Sequence, residues 1–324
     1  MEYRHIPVML NEVIEFLNPQ VGGYFVDCTL GGGGYTMEIA RIVGKNGKIL
    51  AVDLDEMALK NLEFRIKDLE LETNIILVKD NFRNLFKIVE NSFENKNIKF
   101  DGIVFDLGLS SAQLADRERG FSFQFDAPLN MAFGNHRFDT DLGQTYTDTQ
   151  IILNKWAQEK SEKVLRDYGE ERFARSIVKK IVAERKIKPI KTTGELVKII
   201  AKAVPAVYKR QKIHFATRTF QALRIATNKE LENLEEALPQ AVELLRQGGR
   251  MAVVSYHSLE DRIVKSFFRK ESKDCLCPPE FPICQCGHKA KLGILTAKPA
   301  RPTANEIQSN PSARSAKLRA AMKK

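Results

Sequence analysis

A run of four glycines follows a short apolar segment early in the chain, and its residue types suit a ligand-binding turn. Residues 24–30 (YFVDCTL) are apolar and β-branched and predict a buried strand, and residues 35–43 have the apolar spacing of a helix. The glycines at 31–34 lie between these two segments. Glycine lets the backbone turn sharply and approach a ligand closely. The pattern indicates a binding turn, although a simple tight turn explains it as well.

Three further side chains follow predicted strands and could complete such a site. Asp53 lies 20 residues beyond Gly33, where a carboxylate can accept hydrogen bonds from both hydroxyl groups of a ribose. Phe82 follows the third predicted strand, where an adenine ring could lie against it. Asp106 ends the fourth strand, beside the place for a transferable group. Ligands of open α/β sheets bind at the carboxyl ends of the strands, so we expect these residues to meet there.

The glycine turn and Asp53 fit either a dinucleotide or S-adenosylmethionine. Taken alone, Asp53 could also be a surface carboxylate or a helix cap. An NAD-dependent dehydrogenase would share these two signals. It would not explain an acid followed by a Gly-Leu-Ser-Ser turn at 108–111, nor the two basic regions described below. The combination therefore favours S-adenosylmethionine.

The elements that must position these residues alternate between strands and helices. Buried strands are predicted at 24–30, 48–54, 74–78, 102–107 and 250–255. Helix-length segments separate them, an order typical of a parallel, doubly wound α/β sheet. A long helix is predicted at 230–245, and Gly248 and Gly249 close it before the fifth strand.

A helical segment interrupts this pattern. From 147 to 205 the apolar periodicity is helical and no strand is convincing, and Trp156 is predicted to anchor a small core. We therefore predict a sheet domain at 1–136 and 213–324 and an all-helical insertion domain at 137–212. The tail from Lys298 onward is predicted to be extended and bound to the surface.

The net charge of +10 is concentrated in two regions. Residues 137–218 hold 19 Lys and Arg against 10 Asp and Glu, and residues 287–324 hold 9 against 1. Positive charge confined in this way suggests a polyanionic partner, because each neutralised phosphate releases counterions. Solvated helix faces are the alternative interpretation.

The N-terminal segment lacks a signal-peptide pattern, and no apolar run is long enough to span a bilayer. We expect a cytoplasmic protein without membrane contact and with reduced thiols.

One long string is specific enough to identify a family. DLGLSSAQLADRERGFSFQFDAPLNM at 106–131 closely resembles the signature of the bacterial 16S rRNA (cytosine-N(4))-methyltransferases, the MraW/RsmH family. The resemblance covers nearly the whole chain. Further matching strings are HIPVML at 5–10, YGEERFARSI at 168–177, ATRTFQALRI at 216–225, SYHSLEDRIVK at 255–265 and NPSARSAKLRA at 310–320. The resemblance implies a Rossmann-like class I methyltransferase sheet.

The resemblance also assigns cofactor contacts and a reaction. The implied contacts of S-adenosylmethionine are Gly33, Gly34, Tyr35, Asp53, Phe82, Asp106 and Gln113. Tyr35 stands where many family members have His, so we expect a backbone contact there. The implied reaction methylates the exocyclic N4 amine of a cytidine in 16S rRNA of the small ribosomal subunit. A noncatalytic RNA-binding assembly factor on the same fold is the alternative, and DNA is not expected as a substrate.

Four residues are candidates for the catalytic step. Asp106, Ser110 and Ser111 could accept hydrogen bonds from the reacting amine, and turn capping is the alternative for the two serines. His257 follows the fifth strand and could relay a proton or bind the base, although a structural role is also open.

Candidate RNA contacts lie on one predicted helix and in the tail. They are Arg218, Gln221, Arg224, Asn228 and Arg314. The first four recur at about one-turn spacing and form a face suited to phosphates and base edges, and the alternative is a solvated face. Oligomeric state is open, and a homodimer is compatible with the sequence.

Four of the five cysteines form a CxC…CxC pattern at 275–286. Such a pattern can hold zinc in a tetrahedral site. The one-residue spacing is tighter than that of common zinc knuckles, so no metal ligand is assigned here and a redox-sensitive loop is the preferred interpretation. Cys28 is expected to be a small core residue.

Overall fold

A computed structural model describes residues 7–68, 74–110, 113–114, 116–134, 137–139, 145–281 and 283–324. The chain divides into two compact units, one made of Met1–Gly108 and Leu231–Lys324 and the other of Leu109–Glu230. Among the described residues, no helix is both long enough and apolar enough to cross a bilayer.

The first unit is built on a seven-stranded sheet. Its strands are β1 (Tyr24–Asp27), β2 (Lys48–Asp53), β3 (Asn74–Lys79), β4 (Phe100–Asp106), β7 (Leu245–Ser255), β8 (Leu292–Ile294) and β9 (Lys317–Lys323). They are arranged in the order β3-β2-β1-β4-β7-β9-β8. The five strands from β3 to β7 are parallel, whereas β9 is antiparallel to both of its neighbours. The predicted doubly wound α/β sheet is confirmed, and the carboxyl ends of β2, β1 and β4 lie side by side.

Seven helices of this unit are described. They are α1 (Leu10–Leu17), α2 (Gly34–Val43), α3 (Glu56–Asp68), α4 (Leu85–Ser92), α11 (Glu230–Leu244), α12 (Ser258–Glu271) and α13 (Ala304–Ser309). The strands are apolar along nearly their whole length because helices cover both faces of a parallel sheet. Phe25 and Phe105 are completely buried. Cys28 is also buried in the core, as predicted. This packing fixes the strand ends that carry the candidate site.

The second unit is mainly helical. Its helices are α5 (Asp148–Lys155), α6 (Gln158–Gly169), α7 (Ala174–Arg185), α8 (Thr193–Ala203), α9 (Ala206–Lys209) and α10 (Thr217–Asn228). Capping boxes fix two helix starts, with Thr147 and Gln150 at α5 and Thr192 and Glu195 at α8. Trp156 packs against the core of this unit, as predicted.

The second unit differs from the predicted insertion in two respects. It begins at Leu109 and ends at Glu230, because the segment before 137 contributes Phe121 and Leu129 to its core and α10 packs on α6. It is also not purely helical, since β5 (Arg137–Asp139) and β6 (Thr145–Thr147) form an antiparallel pair. Three-residue strands are too short to produce a detectable period in the sequence.

The C-terminal tail is not an extended surface segment, so that prediction was wrong. It contains α13, and its last strand β9 lies inside the sheet between β7 and β8. Leu318 and Ala320 are completely buried. Lys317 and Arg319 both form ion pairs with Asp261, at 3.1 Å and 2.6 Å. Because charged residues alternate with small apolar ones, the strand was hidden in a sequence that looked only basic.

Candidate active site

The glycine turn between β1 and α2 depends on glycine at Gly33. Gly33 precedes the helix with φ of +72°, a conformation that residues with a side chain rarely adopt. A Cβ atom there would also lie 2.8 Å from Cδ1 of the buried Leu62. At the next position, a Cβ on Gly34 would lie 2.6 Å from Cγ of Pro7. The two predicted glycines therefore allow Leu62 and Pro7 to lie close to the turn, and a larger residue at either position would prevent this packing.

Asp53 is fixed to this turn by the backbone. Its Oδ2 accepts the N–H of Gly31 at 2.8 Å, and its Oδ1 accepts the N–H of Asp55 at 2.8 Å. Burial raises the pKa of the Asp53 carboxyl group, while the backbone donors oppose that shift. A carboxylate has about four lone-pair sites. The Asp53 carboxylate thus keeps capacity to accept a further hydrogen bond, as binding of a ribose would require.

Asp27, which the sequence analysis did not single out, forms the centre of the site. It ends β1 and is completely buried. Its Oδ2 accepts the hydroxyl of Thr36 at 2.7 Å, and its Oδ1 accepts the N–H of Thr29 at 3.1 Å. Burial raises its pKa to about 6, against the opposing effect of these donors. An acid at the end of an apolar strand and directly before four glycines is the signal that could have identified it.

Asp106 lies at the end of β4 and joins the same network. Its N–H donates to Oγ1 of Thr29 at 2.6 Å, which connects it to Asp27 through a single residue. Its Oδ1 accepts the hydroxyl of Tyr256 at 2.8 Å. Among the described residues, Tyr256 is the one side chain that donates to this carboxyl group, so Oδ2 is available to a ligand.

The electrostatics of Asp106 place its titration near neutrality. Burial raises its pKa to about 7, the hydrogen bond from Tyr256 opposes the rise, and the charges of Asp27 and Glu260 add to it. Tyr256 itself has its pKa raised well above the ordinary range by burial and by the nearby Asp106 charge, so its hydroxyl stays protonated. A carboxyl group with this pKa can accept a proton at neutral pH.

Tyr256 was also missed by the sequence analysis. Its ring packs against the backbone of Gly108, where a Cβ atom would lie 3.1 Å from Cδ2 of the ring. Its N–H donates to Oε2 of Glu260 at 2.9 Å. The signal was an aromatic residue directly after a buried strand, overlooked in favour of the adjacent His257.

His257 has a structural role in the described geometry. It caps α12, because its Nδ1 accepts the N–H of Glu260 at 3.4 Å and its own N–H donates to Oε2 of Glu260 at 3.3 Å. Its Nε2 lies 3.1 Å from Oε1 of the same residue. A proton relay through His257 stays a prediction.

Tyr35 and Phe82 face the protein core rather than open space. Tyr35 is buried, and its hydroxyl donates to the carbonyl of Val8. The buried side chain leaves the backbone for a ligand contact at this position, and that contact stays a prediction. Phe82 is half-buried after β3, and its ring meets that of Phe105 edge-on with 5.7 Å between centroids.

Ser110 and Gln113 belong to the second unit and bind each other. The N–H of Ser110 donates to Oε1 of Gln113 at 3.1 Å, and the N–H of Gln113 donates to Oγ of Ser110 at 3.2 Å. This reciprocal pair fits the turn-capping alternative for Ser110. Ser111 lies outside the described residues.

Arg224 and Gln221, two of the predicted RNA contacts on α10, form side-chain bonds to other residues of the second unit. Arg224 forms a two-fold ion pair with Glu230 at 2.9 Å and 2.8 Å, with their side chains 15% and 9% exposed. The side-chain amide of Gln221 donates to the carbonyl of Tyr168 at 3.1 Å. Both residues therefore stabilise the unit, and an RNA contact by either is untested.

The remaining candidates differ in their accessibility. Asn228 accepts the N–H of Phe133 at 2.8 Å and donates to the carbonyl of Met131 at 2.7 Å, which ties α10 to the segment before it. Arg218 is half-buried on the same helix. Arg314, in the first unit, is exposed in a short 3₁₀ turn. Its exposed guanidinium fits the predicted phosphate contact better than the tied side chains of α10 do.

Comparisons with known proteins extend these observations. A family model described as the MraW methylase family matches residues 2–324. A relative from Clostridium botulinum (strain 657 / Type Ba4), named ribosomal RNA small subunit methyltransferase H, is 45% identical over 100% of both chains. A protein of the same name from Thermomicrobium roseum is 46% identical over 98% of this chain and 93% of that protein. Among solved structures, an rRNA methylase from Streptococcus thermophilus aligns over 100% of this chain and 98% of its own with a TM-score of 0.41 and 14% identity.

Proposed function

The chain belongs to the MraW methylase family, and from that premise we propose that it methylates the exocyclic N4 amine of a cytidine in 16S rRNA, using S-adenosylmethionine. The relatives at about 45% identity are named for methylation of small-subunit ribosomal RNA, and they align with the whole chain. The observation that carries the proposal is the half-buried Asp106 at the end of β4, bound by Tyr256 beside a glycine turn and Asp53, in a chain matched over residues 2–324.

The residues at the carboxyl ends of β1, β2 and β4 fit S-adenosylmethionine. The turn at Gly33 excludes a Cβ atom, and the first N–H groups of α2 have no partners within the helix. Asp53 would bind the ribose hydroxyls, and Phe82 would lie near the adenine. When bound, the cofactor supplies a methyl group that its positive sulfur has already activated for transfer.

The acceptor amine sets the task of the protein side chains. The N4 lone pair of cytosine is delocalised into the ring, so alignment of the amine and hydrogen bonding to it supply most of the catalysis. Asp106 is the proposed acceptor, with Oδ2 receiving a hydrogen of the amine. As the amine nitrogen takes the methyl group and the carbon–sulfur bond of the cofactor breaks, the Asp106 carboxylate would accept the proton that the nitrogen loses, which the raised pKa of about 7 favours.

Tyr256 is the proposed positioning residue for Asp106. Its hydroxyl binds Oδ1, which leaves Oδ2 for the substrate, and Gly108 allows the ring to lie directly on the backbone. The link from Asp106 through Thr29 to Asp27 holds the end of β4 against the cofactor turn. Alignment of methyl donor and amine would then follow from adjacent strands of one sheet.

RNA binding is the proposed role of the basic second unit and of the exposed Arg314. The support is the net charge of +9 over residues 137–218 and the exposure of that arginine. The target base must leave its stack or lie in an unpaired segment to reach the half-buried Asp106 carboxyl group. Backbone phosphates would contribute affinity, and the pocket would select the base.

The direct experiment incubates the protein with labelled S-adenosylmethionine and small ribosomal subunits from a strain that lacks the enzyme. Nucleosides from the digested RNA are then identified by mass spectrometry. The proposal expects N4-methylcytidine. Cofactor binding without any methylated nucleoside would favour the noncatalytic assembly factor, and label in added duplex DNA would contradict the choice of RNA.

A further inference from the structure

Four cysteine sulfurs converge in the loop that follows α12. Cys275, Cys277, Cys284 and Cys286 have their Sγ atoms all within 4.8 Å of one another. Three of the separations are 3.4 Å for 275–284, 3.8 Å for 275–286 and 3.6 Å for 284–286. The two CxC pairs are far enough apart in sequence for the chain to fold back and bring them together.

These separations are those of ligands around one tetrahedral ion. With a Zn–S bond of about 2.3 Å, tetrahedral geometry places neighbouring sulfurs about 3.8 Å apart. Two disulfides would instead bring sulfurs to about 2.0 Å in separate pairs. The four sulfurs here form one group with intermediate spacing rather than two bonded pairs.

Backbone N–H groups point at the sulfurs. The N–H of Leu276 donates to Sγ of Cys286 at 3.2 Å, and the N–H of Gln285 donates to Sγ of Cys277 at 3.2 Å. Such donors stabilise the negative charge that a cysteine carries as a metal ligand, and they orient it. Leu276 and Gln285 thus stabilise the cysteine cluster through their backbone N–H groups.

The loop has little apolar core to hold it together. Ile283 is 75% exposed and Phe281 46% exposed. The loop is tied at its base, where the N–H of Lys291 donates to the carbonyl of Glu271 at 2.8 Å. A short segment without a hydrophobic core requires another source of stability, and a structural metal is a common one.

We propose that Cys275, Cys277, Cys284 and Cys286 bind one Zn²⁺ in a closed structural site that orders the loop after α12. Four thiolates in a tetrahedron select zinc over hard cations such as Mg²⁺. Because the protein fills all coordination positions, the ion would take no part in methyl transfer. The proposal is independent of the proposed function, since it concerns a loop outside the strand ends that carry Asp106.

The test is the metal content of the full-length protein purified without a metal-affinity column. Elemental analysis is expected to find about one zinc ion per chain. The double variant Cys275→Ser/Cys284→Ser is expected to contain almost none, whereas the control Gln285→Ala, which alters the same loop without removing a thiol, retains the metal. Iron in place of zinc, or no metal in the unaltered protein, would overturn the proposal.

A second measurement covers the case in which the cysteine variant does not fold. A thiol-specific mercurial is titrated into the unaltered protein, and zinc release is followed with a chromophoric chelator. Release that is complete after about four thiols have reacted supports the site. Zinc release unrelated to thiol modification, or intact-mass values showing disulfides among these cysteines, would contradict it.

Discussion

The hydroxyl group of Tyr256 donates a 2.8 Å hydrogen bond to Oδ1 of Asp106, although 150 residues separate them in sequence. The pairing arises because β4 and β7 are adjacent and parallel, so the residues that follow them meet at the same sheet edge. One oxygen of the half-buried Asp106 carboxylate is thereby occupied, and the other is left for the substrate. The pKa of Asp106 consequently depends on Tyr256 as well as on burial.

Replacing Tyr256 with Phe is expected to move the acid limb of the pH–rate profile to higher pH. In the unaltered protein, activity should rise with pH through the Asp106 pKa of about 7, because the carboxylate must be ionised to accept the proton. Loss of the hydroxyl removes an interaction that lowers this pKa. The measurement is kcat against pH, with Tyr24→Phe as the control. An unmoved limb, or one moved to lower pH, would count against the pairing.

Gly33→Ala is expected to weaken cofactor binding about tenfold, which corresponds to about 1.4 kcal/mol. The new Cβ would lie 2.8 Å from Cδ1 of Leu62, and relief of that contact shifts the turn. Gly248→Ala is the matched control, because Gly248 has a similar φ of +78° but open space around it. Both variants should lose about 1 kcal/mol of stability from backbone strain. Calorimetric titration with S-adenosylmethionine should find weaker binding in Gly33→Ala than in Gly248→Ala. Equal affinities in the two variants would refute the role of Gly33.

Asp27→Asn is expected to become more stable relative to the unaltered protein as the pH rises. The pKa of Asp27 is raised to about 6 in the folded state, so its stabilising effect is present below the unfolded pKa and is lost as the pH rises through the folded one. From about pH 4 to about pH 8, the difference in unfolding free energy should shift by about 2 kcal/mol in favour of the variant. Urea denaturation of both proteins across this range measures it. A difference in unfolding free energy that stays constant with pH would show that folding does not raise the pKa of Asp27.

Arg224→Ala is expected to lower stability, whereas Arg314→Ala is expected to change RNA binding alone. Arg224 is paired with Glu230 in a mostly buried position, so its loss should destabilise the protein by about 3 kcal/mol. Arg314 is exposed, so its loss should leave stability unchanged and reduce the salt dependence of RNA binding by about one phosphate contact. Thermal denaturation and filter binding at several salt concentrations test both. A stable Arg224→Ala protein with weakened RNA binding would instead support the original prediction for α10.

Much of the sheet could be predicted because its strands are short, apolar and bounded by turn residues. The ends of β2 and β3 fall within one residue of the predicted ends. Strand β9 could not be predicted, because Lys317 and Arg319 interrupt its apolar pattern and their charges are compensated by Asp261, which is distant in sequence. Long-range compensation of this kind leaves no local signal.

Part of the candidate site follows from the sequence, and its role in binding and catalysis stays a prediction. Gly33, Asp53 and Asp106 could be found because each follows a recognisable strand, a relation that the sequence displays directly. Tyr256 could not, because its role depends on which strands are neighbours. The RNA contacts predicted on α10 stay predictions, since the periodicity of Arg224 and Asn228 is the same whether a helix faces solvent or its own unit.

Asp106→Asn tests most directly whether Asp106 accepts the amine proton. The variant keeps the shape of the side chain and removes its basicity. The rate of N4-methylcytidine formation on small ribosomal subunits should fall by about 10²- to 10⁴-fold, while the dissociation constant for S-adenosylmethionine stays close to that of the unaltered protein. A variant that binds cofactor normally and methylates at the normal rate would contradict the account.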